Sequence, residues 1–158
     1  MIFYLGGVRY LTKKTDELMK ALKDEKGSLK EYLSENKGEF VSNDVRDFWN
    51  RMVKQSGMPK VEIIDRSGCG YNYFYCIING KKTPSREKTL SLALTMHLSL
   101  DDCQQALKLS GKAPLYPRSK RDSIIIYGIE HGQSLDEVCA ELDRHGEKSL
   151  RNIGERNG

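Results

Sequence analysis

The sequence has no apolar run that approaches the roughly 20 residues needed to cross a bilayer, and residues 1–5 are too few for the core of a signal peptide. Its four cysteines lack C-x-x-C spacing, and a chain of 158 residues can form a core without disulfides. Hydrophobic residues make up 38% of the chain and charged residues 30%, as in globular proteins. We therefore expect a cytoplasmic protein with reduced thiols and no membrane contact.

Signatures of catalysis and of metal binding are also missing. The chain has no G-x-S-x-G nucleophile motif and no phosphate-binding glycine loop. His97, His131 and His145 could be combined with Cys103 and Cys139, but their spacing fits no zinc-ligand pattern, and histidines at helix ends are common. We expect a protein that is not an enzyme and that holds no metal and no cofactor.

Apolar residues recur at three- and four-residue spacing in segments that begin with a Ser, Asn or Asp cap and end at a glycine. This pattern, without strand-like alternation, predicts an all-α fold. The predicted helices cover residues 13–26, 28–36, 44–56, 59–67, 71–79, 85–96, 99–111, 118–130 and 134–145. The predicted organisation is an N-terminal tail and helical hairpin at 1–43, a five-helix domain at 44–111, a linker and C-terminal helical hairpin at 112–146, and a flexible tail at 147–158.

A repeat connects the last part of the five-helix domain with the C-terminal hairpin. Residues 96–111 and 131–146 align at a constant offset: SLDD at 99–102 matches SLDE at 134–137, Leu107 matches Leu142, and Gly111 matches Gly146. Repeated helical units of this kind bury their apolar faces against each other. We expect the second hairpin to stack on the first.

The positive charge is concentrated in the middle of the chain. Residues 44–88 contain nine lysines and arginines against five acids, which accounts for the whole net charge of +4. An uneven distribution of this kind is typical of proteins that contact a polyanion. If the partner is a nucleic acid, the middle segment should bind it.

Residues 60–85 read KVEIIDRSGCGYNYFYCIINGKKTPS, which predicts a helix, a turn at Gly68 and a second helix closed by Asn79 and Gly80. With Ile63 five positions before the turn glycine, and with Phe74 and Ile77 after it, the segment resembles the helix-turn-helix of Cro/repressor-type (XRE-family) transcription factors. The resemblance spans residues 44–110. It implies a lambda-repressor-like five-helix domain that binds double-stranded DNA.

The resemblance also implies roles for individual residues. The second helix enters the major groove, where Tyr71 and Asn72 meet base edges and Asn72 can pair bidentately with adenine. Helical periodicity predicts that Tyr71, Asn72 and Tyr75 point outward, while Phe74, Ile77 and Ile78 are buried against the first helix of the motif. The predicted DNA-binding residues are Lys60, Gly70, Tyr71, Asn72, Tyr73, Tyr75, Asn79, Lys81 and Lys82. A secondary basic surface is predicted from Arg86, Arg118, Lys120 and Arg121, three of them in the proline-containing segment 112–121, which otherwise serves as a rigid linker.

The chain departs from the family pattern at two places. Ile64 stands where that family usually has a small residue, and three tyrosines crowd the reading helix at Tyr71, Tyr73 and Tyr75. Tyrosine is also enriched in protein interfaces. Two main interpretations therefore stay open: a bacterial or phage-type transcriptional regulator whose flanking hairpins form a homodimer or contact a protein partner, and a protein-interaction adaptor that uses the tyrosine-rich face. Binding of single strands by tyrosine stacking is a third.

The N-terminal stretch shows no helical pattern before about residue 12. Gly6 and Gly7 can be encoded by GGAGGN, which resembles a bacterial ribosome-binding sequence. We expect that the natural start is Leu11, read from a TTG codon, and that the preceding residues correspond to an untranslated leader.

Overall fold

The computed structural model of the protein describes residues 4–5, 8–9, 13–24, 26–40 and 44–151. The chain divides into two compact units, Met1–Ser42 and Asn43–Gly158. Gly6, Gly7 and Leu11, on which the predicted start depends, lie outside the described residues, as do residues 152–158 of the predicted tail.

The first unit contains a strand pair and two short helices. Strands β1 (Tyr4–Leu5) and β2 (Val8–Arg9) pair antiparallel. The sequence did not predict them, because two residues are too few to show the alternation of apolar and polar side chains that indicates a strand. Helix α1 (Thr15–Lys23) is shorter at both ends than predicted, and α2 (Leu29–Glu35) is followed by a 3-10 turn at Lys37–Glu39. Helix α2 begins with a capping box, in which the Ser28 hydroxyl accepts from the Glu31 amide at 3.1 Å.

The second unit contains the remaining helices, and the predicted all-α class is confirmed. These are α3 (Val45–Ser56), α4 (Lys60–Ser67), α5 (Tyr71–Ile78), α6 (Arg86–Thr95), α7 (Leu100–Leu109), α8 (Lys120–Glu130) and α9 (Leu135–Arg144). Most begin at a side chain that accepts a hydrogen bond from the first turn: Asp44, Ser85, Ser99, Ser119 and Ser134. The lambda-repressor-like arrangement of the first five stays a prediction.

One core serves the whole second unit. Helix α3 packs on α5 and α7, and α4 packs on α6; α6 and α7 pack on each other and, respectively, on α9 and α8. The largest fully buried side chains come from all seven of these helices: Trp49, Phe48, Phe74, Met52, Ile63, Ile77, Leu90, Leu92, Leu94, Leu107, Ile125 and Leu142. The predicted five-helix domain and C-terminal hairpin therefore belong to one compact unit.

The predicted linker and the start of the predicted tail are packed against this core. Leu115 is buried, and the Gln104 amide holds its backbone by donating to the carbonyl at 2.9 Å and accepting from the amide at 2.8 Å. Leu150 is buried as well, and Arg151 forms a 2.7 Å ion pair with Asp136. Residues 147–151, which were predicted as the start of a flexible tail, are therefore attached to the second unit.

The predicted repeat is also present in the structure. Ser99 and Ser134, 35 positions apart (134 minus 99), cap α7 and α9 with nearly the same backbone angles. After these helices, the Lys112 amide donates to Leu107 and the Glu147 amide to Leu142, both at 2.8 Å. We define repeat 1 as residues 86–115 and repeat 2 as residues 121–150.

Candidate nucleic-acid interface

The turn between α4 and α5 is built from two glycines on either side of a buried thiol. Gly68 and Gly70 have φ angles of 65° and 82°, in the left-handed region that favours glycine. Cys69 between them is buried, and this burial raises the pKa of its thiol to about 11, although the positive charge of Lys88 acts to lower it. The Lys88 ammonium also donates to the Gly68 carbonyl at 3.2 Å, so α6 anchors the turn.

Helix α5 has one buried face and one accessible end. Phe74, Ile77 and Ile78 are at most 5% exposed, which confirms the predicted buried face. This face lies chiefly on α3, whereas the sequence analysis assigned it to α4, which instead packs on α6. At the N-terminal end of α5, Tyr71 is 63% exposed and Asn72 is exposed beside it.

Tyr73 and Tyr75 are half-buried and pack against the core, so the predicted outward position of Tyr75 holds only in part. The Tyr73 hydroxyl accepts from the Ser85 amide at 3.0 Å, which ties α5 to the start of α6. The Tyr75 ring centroid lies 4.6 Å from that of Tyr71. Of the three tyrosines on α5, only Tyr71 therefore remains largely exposed.

Two lysines lie beside the tyrosine rings. The Lys60 ammonium is 5.9 Å from the Tyr75 ring centroid, and the Lys82 ammonium is 4.7 Å from that of Tyr73. Cation–π contacts of this length hold an ammonium close to the helix surface without removing its charge. Each lysine is therefore held beside α5, Lys60 at the Tyr75 ring and Lys82 at the Tyr73 ring.

Lys60 is also the first residue of α4, whose N-cap, Pro59, offers no side-chain acceptor to the first-turn amides. Such amides and the positive end of the helix dipole favour an anion nearby. After α5, Asn79, Lys81 and Lys82 are exposed on a tight turn in which both lysine amides donate to the Cys76 carbonyl. The two basic groups thus lie at the start of α4 and just beyond the end of α5.

One basic residue that the sequence analysis missed lies next to this turn. A Cβ atom added to Gly80 would lie 3.3 Å from the side chain of Arg46, which is exposed on α3. The sequence carried only one signal, a positive charge on the polar side of a helix whose other side is buried. Its proximity to Gly80 depends on how α3 packs on α5.

The predicted secondary basic surface is divided by the structure. Arg86 forms a 2.9 Å ion pair with Asp122, and Arg121 binds both carboxylate oxygens of Glu87 at 3.0 and 2.6 Å. These two guanidinium groups are already neutralised within the fold. Arg118 and Lys120 are exposed and are what remains of that surface, although the Lys120 ammonium donates to the His145 carbonyl and lies 4.0 Å from the Glu147 carboxylate.

Neither a metal-binding cluster nor a membrane-spanning helix occurs in the described part of the chain. No three His, Cys, Asp or Glu side chains there are grouped so that they could hold a metal ion. No helix among the described residues is long and apolar enough to cross a membrane. In comparisons with known proteins, no family, no curated protein and no solved structure matches this chain.

Proposed function

We propose that this protein binds double-stranded DNA at specific sequences, with α5 in the major groove, and that it regulates transcription in the cytoplasm without enzymatic activity. The observation that carries the proposal is the accessible N-terminal end of α5. Tyr71 and Asn72 project there from a helix whose other face is buried, directly after the glycine turn. In groove-reading helices, the N-terminal residues are the ones that reach base edges.

The dimensions and the surface of α5 suit such a role. An α-helix with its side chains is about 10 to 12 Å across, which fits the major groove of about 12 Å. The helix carries no charged side chain, so no carboxylate on it would repel phosphates. Asn72 supplies both a donor and an acceptor, as adenine recognition requires.

The lysines around α5 supply the second part of the interaction. Lys60 at the start of α4, and Lys81 and Lys82 after α5, would contact phosphates on the two sides of the groove. Such contacts add affinity for any duplex and make that affinity depend steeply on salt. Base discrimination then depends on Asn72 and Tyr71.

The test begins with enrichment of sequences from a random duplex pool by the purified full chain. The selected duplex and a random duplex are then titrated with wild type, Asn72→Ala and Gln105→Ala. We expect Asn72→Ala to cost about 1 to 3 kcal/mol on the selected duplex and little on the random one. Gln105→Ala, which removes an amide from α7 outside the motif, should change neither. A palindromic selected sequence would indicate that two copies bind together.

A protein-interaction adaptor is the second candidate, and the pair formed by Tyr71 and Tyr75 favours it. Their rings lie 4.6 Å apart on an uncharged helix, and exposed tyrosines are common at the centre of protein interfaces. If the random pool yields no enriched sequence and the affinity for every duplex is unchanged by Asn72→Ala, DNA reading by α5 is refuted. The tyrosine face would then be tested as a protein-binding surface.

A further inference from the structure

The two repeats contact each other reciprocally. Arg86 of repeat 1 pairs with Asp122 of repeat 2, and Arg121, the equivalent of Arg86, pairs with Glu87, the equivalent of Asp122. Each arginine also donates through Nε to a carbonyl of its own repeat, Arg86 to Ala113 at 3.0 Å and Arg121 to the equivalent position at 2.8 Å. When residue i contacts residue j and the equivalents contact in reverse, the two parts are related by a two-fold axis.

The helix packing follows the same pseudo-two-fold relation. Helix α6 packs on α9 in the way that its equivalent, α8, packs on α7. The pseudo-two-fold relation does not extend to α3 and α4. These two helices pack on α7 and α6, which are the helices of repeat 1. Within the second unit, α8 and α9 pack chiefly on each other and on α7 and α6, so repeat 2 has no counterpart of the packing of α3 and α4 on repeat 1.

An open cleft of about 710 Å³ lies on repeat 2, lined mainly by α8 and α9. Five of its lining residues have equivalents in repeat 1 that are all buried; the equivalent pairs are Ile124 and Thr89, Tyr127 and Leu92, Gln133 and Leu98, Glu141 and Ala106, and His145 and Ser110. The largest contrast is between Tyr127, which is 56% exposed, and Leu92, which is 0% exposed. The cleft is thus the repeat 2 counterpart of the surface that α3 and α4 occupy on repeat 1.

We propose that this cleft binds an amphipathic helical segment of a partner protein, seated on α8 and α9 as α3 and α4 are seated on α6 and α7. The floor is apolar at Ile124 and Tyr127 of α8, which suits the apolar side of a helix such as α4, which packs on the equivalent helix α6 and buries Ile63. The edges are more polar than in repeat 1, because Glu141 and His145 replace alanine and serine. A polar rim around an apolar centre is typical of an interface that forms and separates reversibly.

The test uses the full chain and a fluorescein-labelled peptide of residues 44–67, the segment that fills the equivalent place on repeat 1. Tyr127→Glu introduces a charge on the cleft floor, and Tyr116→Glu is the matched control, since these tyrosines are 56% and 55% exposed. We expect saturable binding to wild type, at least tenfold weaker binding to Tyr127→Glu, and unchanged binding to Tyr116→Glu. Circular dichroism checks that each variant is folded; if Tyr127→Glu is not, Tyr127→Ala and Tyr116→Ala replace the pair.

Any of three outcomes would overturn the proposal. The first is the absence of saturable binding to wild type, and the second is equal weakening by both tyrosine variants. The third is sedimentation of the peptide-free protein as a dimer that Tyr127→Glu dissociates, because a second copy of the chain would then occupy the cleft. The proposal does not depend on DNA binding, and the duplex titrations of the Tyr127 variants should equal those of wild type.

Discussion

Replacement of Arg121 by alanine should destabilise the fold and leave contacts with phosphates unchanged. The guanidinium holds both oxygens of Glu87 at 3.0 and 2.6 Å and also donates to the Lys148 and Ser149 carbonyls at 2.8 and 3.4 Å. The paired side chains are 17% and 26% exposed, so most of the pair is screened from water. Arg121 therefore connects α6, α8 and the segment that closes the second unit.

The expected magnitude follows from these contacts. Breaking a buried ion pair by removing one partner costs about 3 to 5 kcal/mol, because the other charge stays buried. Here water can partly rehydrate Glu87, which lowers the cost, while the lost carbonyl bonds add to it. We expect Arg121→Ala to lower the free energy of unfolding by about 2 to 3 kcal/mol. Arg118→Ala, three positions earlier and exposed, should stay within about 0.5 kcal/mol.

Urea unfolding followed by circular dichroism measures both variants, and a double-mutant cycle with Glu87→Ala measures the coupling, which should be about 1 to 3 kcal/mol. The same cycle on Arg86 and Asp122 should give coupling of the same sign, since that pair is the pseudosymmetric equivalent. The reasoning is refuted if Arg121→Ala unfolds like wild type while its DNA affinity becomes less dependent on salt. That result would mean that the guanidinium contacts phosphate, as the sequence alone suggested.

Three further predictions concern the motif and the buried thiols. Phe74→Ala should destabilise the protein by about 3 to 5 kcal/mol in urea unfolding, and an unchanged midpoint would contradict its place in the core. Lys60→Ala should flatten the slope of log affinity against log salt by about one for every duplex, whereas Lys108→Ala should not; a loss confined to one sequence would exclude a phosphate contact. Burial raises the pKa of Cys69 to about 11 and that of Cys103 to about 12, so stability from the protonated thiols is present below the ordinary value of 9.0 and is lost as the pH rises toward 11 to 12. The free energy of unfolding should fall over that range, and replacing both cysteines by serine should reduce the fall.

Most helices were predictable because a helix depends on residues within four positions of each other. The capping box of Ser134 and Glu137 shows how local such a signal is, since both of its hydrogen bonds form within one four-residue string. The buried face of α5 was predictable for the same reason, as helical periodicity alone puts Phe74, Ile77 and Ile78 on one side. The repeat could be read as well, because each copy kept its cap and its closing glycine.

Contacts between distant parts of the chain were decided by the tertiary structure. Arg121 and Glu87 are 34 positions apart, and no local sequence pattern distinguishes them from charged residues that are exposed to solvent. The side-chain environment of Tyr75 likewise depends on Lys60, in the preceding helix, and on the packing of α5. Local patterns determine where a helix begins and which face is apolar, but they do not determine which distant face covers it. Which faces pack together is decided by the burial of apolar surface over the whole chain. In this protein, residues 112–151 are packed against the core, and the cleft on repeat 2 is left open.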